Sequence, residues 1–486
     1  MLRLGLERIT EALQRLHNPH HAFQALHVAG TNGKGSTCAL LEAALLACLA
    51  PAGLRVGKFV SPFLVEPRDG VWLDGAPLAP EAWAAALAEV AAAAAAAPPL
   101  APTPFEQWTA AAFVAFARAG VRVAVVEVGV GGGGDATNAL PPPLLALVTP
   151  IAMDHADLLG PGLADIAGHK AGIFKAGGGG ALTAPGQAPE VLAVLQARAQ
   201  AAGLALVVAP PLAWERRGVL RAPPAAGSSE GEPGGQGPPP VLLPMGLPGE
   251  FQAVNAALAW AALQALGAER WPALRCAATV GQAWRGAQWR GRAELVLLRL
   301  PPLPPPAQQA PHCTDAPPLQ CTLDGGHNAH AMRALASELA WRCAEAGGGR
   351  LALVYACGAA RDARENLGLL LSGLWAALPA LRLTLLAVPY AVPEGMPWAV
   401  PHAPEALAAA AREVVAGLLP PPPAPQGAGS AQVRACASLR EALEGIAGDA
   451  DLAAQGTCKA ICGSLYLVSD VARQCQLERP PAATAP

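Results

Sequence analysis

The sequence predicts an α/β protein of two domains, each built on a mainly parallel sheet. Two observations carry this expectation. The 486 residues exceed what a single hydrophobic core organises, and short unbroken apolar runs alternate with helical patterns. The first run, Leu26 to Gly30, enters a glycine-rich turn and is followed by a helical pattern from Cys38 to Ala50, giving strand, loop and helix. The second, Val121 to Val130, is rich in valine and carries Glu127, Val128 and Gly129 near its end. The third, Leu144 to Ile151, leads into Asp154 and His155. Ligands of parallel sheets bind beyond the carboxyl ends of the strands, which is where all three polar clusters fall.

The rhythm resumes after Pro318. Leu319 to Asp324 precedes a helix from about Ala329, and further runs follow at Leu351 to Ala356, Leu381 to Ala387 and Lys459 to Cys462, the last before a helix from Leu465 to Cys475. The expected division is therefore 1–300 for the first domain, a proline-rich linker at 301–318, and 319–486 for a second, smaller α/β domain. Residues 222–240 and 420–429 are biased toward Gly, Pro, Ser and Glu and read as inserts without a packed core.

Composition narrows the function. Apolar residues make up 53% of the chain, but alanine runs such as Ala91 to Ala97 inflate the figure, and Pro or Gly breaks the longest uncharged stretches, so no membrane partner is expected. A net charge of -3 supplies no basic field for nucleic acid. The eleven cysteines show no four-ligand zinc spacing, and reduced thiols of a cytosol-like compartment are expected. No Arg- and Ser-rich leader precedes the first motifs, so the expected location is cytoplasmic.

Gly30-Thr31-Asn32-Gly33-Lys34-Gly35-Ser36-Thr37 lies between the first strand and its helix, the context a phosphate loop requires. Glycines let backbone amides approach phosphates, the helix start adds the positive end of its dipole, and Lys34 supplies a point charge. Gly35 separates the lysine from Ser36, a departure from the ordinary loop in which Ser or Thr follows Lys directly. The alternative is a glycine-rich turn that binds nothing.

This loop resembles the ATP loop of the Mur-ligase superfamily, and more closely that of dihydrofolate synthases and folylpolyglutamate synthases. Other segments fall in that family's order: Leu4 to Ile9, Ser61-Pro62-Phe63-Leu64, Phe105-Glu106, Glu127 to Gly132, Asp135-Ala136-Thr137-Asn138, Asp154-His155, His169 to Ile173, Trp289-Arg290-Gly291-Arg292, Asp324 to Asn328, and Gly463 to Tyr466. The resemblance implies an N-terminal P-loop ATPase-like domain and a Rossmann-like C-terminal domain. It also implies ATP-dependent joining of L-glutamate to a folate-type carboxylate through an acyl phosphate, by a monomer acting on small molecules. By the same resemblance Ser61, Glu127 and His155 hold magnesium, Lys170 is carbamylated and helps hold a second magnesium, and Asn255, Arg292, Asp324 and His327 join the loop in binding the nucleotide. Lys34, Lys170 and His155 are then the catalytic set.

Lys170 is the most informative of these, because only five of the 33 basic residues are lysine. An amine that loses its proton can take up carbon dioxide, whereas a guanidinium stays protonated. The alternative for Lys170 is a solvated lysine on a helix surface.

The sequence also departs from the family pattern. Gly133 and Gly134 precede Asp135 where the family commonly has an arginine, Phe63 replaces a frequent histidine, and a common Asp-Lys-Asp becomes Asp362-Ala363-Arg364. Leu4 to Ile9 resembles a segment near the pteroate-binding loop of bifunctional enzymes, and Glu66 to Asp69 resembles dihydrofolate synthases of fungal type, so the resemblance implies dihydropteroate, reduced folates or both as acceptor, with a lean toward dihydropteroate. The other readings are a Mur-type ligase for another acceptor and a catalytically silent nucleotide-binding scaffold.

Overall fold

The computed structural model describes residues 5–216, 218–222, 241–301, 317–347, 349–393, 396, 399–419 and 429–480. Leu4 and nearly all of the three biased segments expected at 222–240, 301–318 and 420–429 lie outside them. The chain forms two compact units, Met1–Trp289 and Arg290–Pro486.

The first unit carries strands β1 (Gln24–Ala29), β2 (Arg55–Phe59), β3 (Val71–Leu73), β4 (Ala76–Pro77), β5 (Val121–Glu127), β6 (Leu145–Val148), β7 (Ala181–Thr183) and β8 (Leu206–Val208) in one sheet. Its order is β4-β3-β2-β5-β1-β6-β7-β8, with β3 antiparallel to both its neighbours and the other pairings parallel. A small antiparallel sheet follows from β9 (Ala213–Arg216), β10 (Val219–Ala222) and β11 (Val241–Pro244). The helices are α1 (Glu7–Arg15), α2 (Lys34–Leu49), α3 (Pro80–Ala95), α4 (Pro104–Ala119), α5 (Ala156–Leu159), α6 (Leu163–Lys170), α7 (Pro189–Ala201), α8 (Gln252–Glu269) and α9 (Ala277–Arg285).

The continuous apolar run of β5 has a direct cause. Val123 and Val125 pack with Leu40, Leu41 and Leu45 of α2 and Leu258 of α8 on one face. Ala124 and Val126 pack with Phe113 and Phe116 of α4 on the other. A strand covered on both sides has no polar face to display, and each such aliphatic side chain contributes about 1.5–3 kcal/mol by leaving water. Helix α2 with its following turn, Lys34–Ala52, is long and apolar enough to cross a membrane, but 61% of that stretch is buried inside the unit, as in a core helix. Helix α4 begins where Thr103 accepts from the Glu106 amide while Glu106 returns a bond to the Thr103 amide. It ends at Gly120 in the left-handed region.

The second unit is a seven-stranded sheet of β12 (Glu294–Arg299), β13 (Leu319–Asp324), β14 (Arg350–Tyr355), β15 (Arg382–Ala387), β16 (Ser430–Ala435), β17 (Thr457–Cys462) and β18 (Gln476–Glu478), ordered β16-β15-β14-β17-β13-β12-β18. Strands β12 and β18 are antiparallel additions to a parallel core. Helices α10 (Ala329–Glu345), α11 (Ala363–Ala377) and α12 (Pro404–Leu418) cover one face, and α13 (Leu439–Gly448), α14 (Ala450–Ala453) and α15 (Leu465–Gln474) complete the unit. The boundary falls at Trp289, earlier than the division expected near Leu300, because Glu294–Arg299 pairs along β13 and so belongs to the second sheet. Its apolar composition shows only that it is buried, and its partner is remote in sequence.

Candidate active site

Strands β2, β5, β1 and β6 are neighbours, and their register sets Val28 beside Glu127, Ala29 beside Val148, and Phe59 beside Val126. The segments after these strands therefore emerge together at one edge of the sheet. They bring Gly30 to Lys34, Ser61, Glu127 and the 149–155 segment to a common place.

The Gly30–Lys34 loop is held by the segment that follows β6. The Thr31 and Asn32 amides both donate to the Pro150 carbonyl, at 3.0 and 3.2 Å, and the Thr31 hydroxyl bonds the backbone of Ala152. Helical bonding in α2 begins with Thr37 N donating to Gly33 O at 2.9 Å. The amides of Lys34, Gly35 and Ser36 lie ahead of that ladder as first-turn donors, the groups that a helix start turns toward an anion. Gly33 adopts φ +88°, and a Cβ there would lie 1.9 Å from Asn255 Oδ1. A Cβ on Gly35 would lie 2.6 Å from Trp289 Nε1, which accounts for the extra glycine between Lys34 and Ser36.

Two lysines converge on one carbonyl. Lys34 Nζ donates to Gly30 O at 3.2 Å and Thr31 O at 3.4 Å, and lies 3.9 Å from Glu127 Oε1. Lys170 Nζ, at the end of α6, donates to the same Gly30 oxygen at 2.6 Å. Lys170 is buried, so it is not the solvated surface lysine of the alternative reading. Burial, and then the charge of Lys34, lower its pKa from the ordinary 10.5 to about 7, against the opposing pull of Asp154 and Asp135. Near neutral pH a large share of Lys170 is free amine.

Glu127 ends β5 and is buried, with Oε2 receiving the Ser61 amide at 3.4 Å. His155 has φ +52° and caps the short helix α5, its ring exposed and its Nε2 3.9 Å from Asp154 Oδ1. Among the described residues no group of three or more His, Cys, Asp and Glu has metal-holding geometry. A carboxylate and a serine beside a triphosphate nevertheless suit magnesium, which takes one or two carboxylates and keeps several waters.

Asp135 is buried and accepts the Val130 and Thr137 amides and the Thr137 hydroxyl. Thr137 Oγ1 spends its proton on Asp135 and therefore accepts from His27 Nε2 at 2.9 Å. Burial lowers the His27 pKa to about 3, so the ring is neutral. This chain fixes the glycine-rich segment at 129–134, where Gly5 N donates to Gly134 O at 3.0 Å. Arg8 pairs with Glu106 at 2.9 Å, tying α1 to the start of α4.

The remaining nucleotide candidates divide between the units. Asn255 is buried on α8 beside Gly33 and donates to Gln252 Oε1 at 2.8 Å, while Gln252 Nε2 reaches Ser36 Oγ at 3.4 Å, so Asn255 buttresses the loop. In the second unit Asp324 accepts the Ala293 amide at 2.8 Å and the Gly326 amide at 2.7 Å. Its pKa is raised by burial and held back by Arg292. His327 Nδ1 donates to Gly325 O at 2.9 Å. Arg292, on the turn before β12, thus acts on Asp324 at the end of β13, and His327 lies on the turn that follows.

Comparison with known proteins finds similarity in sequence and in fold. A family model described as dihydrofolate synthetase, C-terminal domain, matches residues 312–474. The dihydrofolate synthase/folylpolyglutamate synthase of Mycobacterium tuberculosis is 38% identical over 203 residues, 39% of this chain and 39% of that protein. Escherichia coli FolC, solved in complex with DHPP and ADP, matches at TM-score 0.69 and 26% identity over 97% of this chain and 93% of that one. The chain is therefore similar to dihydrofolate synthases and folylpolyglutamate synthases, in sequence over part of its length and in fold over nearly all of it. The bifunctional enzyme from Yersinia pestis, solved with AMPPNP and Mn ion, gives the same TM-score of 0.69 at 26% identity, over 97% of this chain and 93% of that one. Matches to the curated relatives span about two fifths of their own length.

Sequence reasoning missed three members of this neighbourhood. Lys58 and Glu42 form a buried ion pair beside the loop helix, and Thr149 stands directly against Gly30. Lys58 carried a usable signal: lysine is scarce in this chain, and none of the five is exposed.

Proposed function

We propose that this protein is an ATP-dependent ligase that joins L-glutamate to a folate-type carboxylate through an acyl phosphate. The observation that carries the reading is the convergence of Lys34 and Lys170 on Gly30 O, beside Glu127, at the start of α2. The relatives crystallised with ADP, DHPP, AMPPNP and Mn ion support nucleotide, acceptor and divalent metal as its ligands.

A carboxylate reacts poorly with amines, so it must first receive the γ-phosphoryl group of ATP. The first-turn amides of α2 and the ammonium of Lys34 hold the phosphates and offset the charge that develops during transfer. Lys34 is preorganised for this by the Gly30 and Thr31 carbonyls. Glu127, Ser61 and His155 would hold magnesium, with a carbamylated Lys170 helping to hold a second ion. Magnesium, when bound, screens the triphosphate and polarises the phosphoryl group. The half-neutral amine of Lys170 is the state that takes up carbon dioxide, and the resulting carbamate is an oxygen donor of the kind magnesium prefers. The glutamate amine then displaces phosphate and forms the amide.

Dihydropteroate is the favoured acceptor. The segment from Gly5, which resembles the neighbourhood of a pteroate-binding loop, bonds to Gly134 and Glu106, and Glu66 and Asp69, which resemble dihydrofolate synthases of fungal type, close a tight turn. The test is phosphate release with magnesium, ATP and L-glutamate, offering dihydropteroate and tetrahydrofolate separately. Turnover with dihydropteroate supports the assignment; turnover with tetrahydrofolate alone overturns the choice of acceptor.

A further inference from the structure

Lys58 lies on β2, outside every segment assigned to catalysis above, yet it is among the most deeply buried side chains of the molecule at 2% exposure. Its ammonium pairs with Glu42 of α2 and sits over two indoles, 4.1 Å from the ring centre of Trp72 and 5.1 Å from that of Trp289. Trp289 in turn lies against Gly35, so closely that a Cβ there would come within 2.6 Å of its Nε1 and 2.7 Å of its Cε2. A line of contacts therefore runs from the β2–β3 hairpin through a buried cation to the first turn of the phosphate-loop helix. Packing alone would favour an aliphatic residue at position 58, since a buried charge is costly even when paired. What the ammonium adds is attraction to the faces of both indoles, strongest when desolvated.

We propose that Lys58 is a positioning residue for nucleotide binding: paired with Glu42, it holds the Trp289 indole against Gly35 and so fixes the first-turn amides of α2. The inference rests on the reading of this loop as an ATP site. Gly35 and Trp289 are complementary parts of one device, in which a glycine without a side chain receives an indole held by a cation.

Replacing Lys58 alone would strand the Glu42 carboxylate in the core, whereas removing both charges together, as in Glu42→Leu with Lys58→Met, retains volume and avoids an unpaired ion. Calorimetric titration with magnesium ADP, alongside the KM for ATP and kcat from phosphate release, reads the effect. The double variant is expected to bind ADP about 10-fold more weakly and to raise the KM for ATP in proportion, with kcat within about twofold of wild type, the signature of lost binding rather than lost chemistry. Trp289→Leu gives a second route that leaves the ion pair intact and should reproduce the loss, while Trp289→Phe, which keeps an aromatic face, should recover most of the affinity. ADP affinity within twofold of wild type in folded double variant or in Trp289→Leu overturns the proposal. Failure of the wild-type protein itself to bind magnesium ADP would remove the nucleotide-site reading, and this inference with it.

Discussion

Replacing Lys170 by methionine should make the protein more stable at neutral pH while destroying its activity. Lys170 is 5% exposed, and burial together with Lys34 lowers its pKa from 10.5 to about 7. Between those values the unfolded chain binds more protons than the folded one, so stability rises with pH through that window, and below about pH 7 the full penalty applies. At about 1.4 kcal/mol for each pH unit, keeping this amine folded at pH 7 costs roughly 4 kcal/mol. The hydrogen bond to Gly30 O, worth about 1 kcal/mol net, offsets part of that. Lys170→Met should therefore gain on the order of 2–3 kcal/mol at pH 7, and the gap should close as pH approaches 10. Urea unfolding at pH 6.5, 8 and 9.5 in buffer freed of carbon dioxide measures it, with the slope checked for constancy. A variant less stable than wild type at pH 7, or a gap that does not change with pH, would refute the reasoning.

Further expectations concern single contacts. Lys34→Ala should lower ATP turnover by on the order of 100-fold or more in steady-state assays, since it removes the fixed cation beside the phosphates. Gly35→Ala places a methyl against the Trp289 ring and should raise the KM for ATP, while Gly417→Ala on α12, where nothing lies within 4 Å, should leave it unchanged. Lys170→Ala should regain part of its activity when short carboxylates are added, because they can stand in for a carbamate. Asp324→Ala releases two buried backbone amides, of Ala293 and Gly326, and should cost about 1–3 kcal/mol for each in thermal unfolding of the second unit.

Much of the first unit was legible because its signals are local. The apolar run into Gly30, the glycine-rich turn and the helix after it are contiguous, and the structure extends the helix back to Lys34 because a phosphate loop is itself a helix start. Strands β13, β14, β15 and β17 of the second unit could be read for the same reason, whereas β16 and β18, with polar residues along them, could not. What escaped was pairing. Strand β12 reads as an apolar run, but its membership in the second sheet depends on β13, across a proline-rich segment. The site shows the same division. Lys34 and Glu127 stand in recognisable motifs, whereas the burial of Lys170 depends on Gly30, which is 140 residues away in the chain. Asp324 was legible as a polar residue beyond a strand, yet its two backbone bonds depend on Ala293 and Gly326 in turns that composition does not specify.

The most direct test of the central claim is to incubate the purified protein with ATP, magnesium, L-glutamate and dihydropteroate, and to follow phosphate release while weighing the pterin product. Phosphate release is expected to require both dihydropteroate and glutamate, with a product heavier by one glutamyl residue. Folded protein that binds ATP yet releases no phosphate and forms no glutamyl adduct, with dihydropteroate or with tetrahydrofolate, would contradict it and leave a nucleotide-binding scaffold in its place.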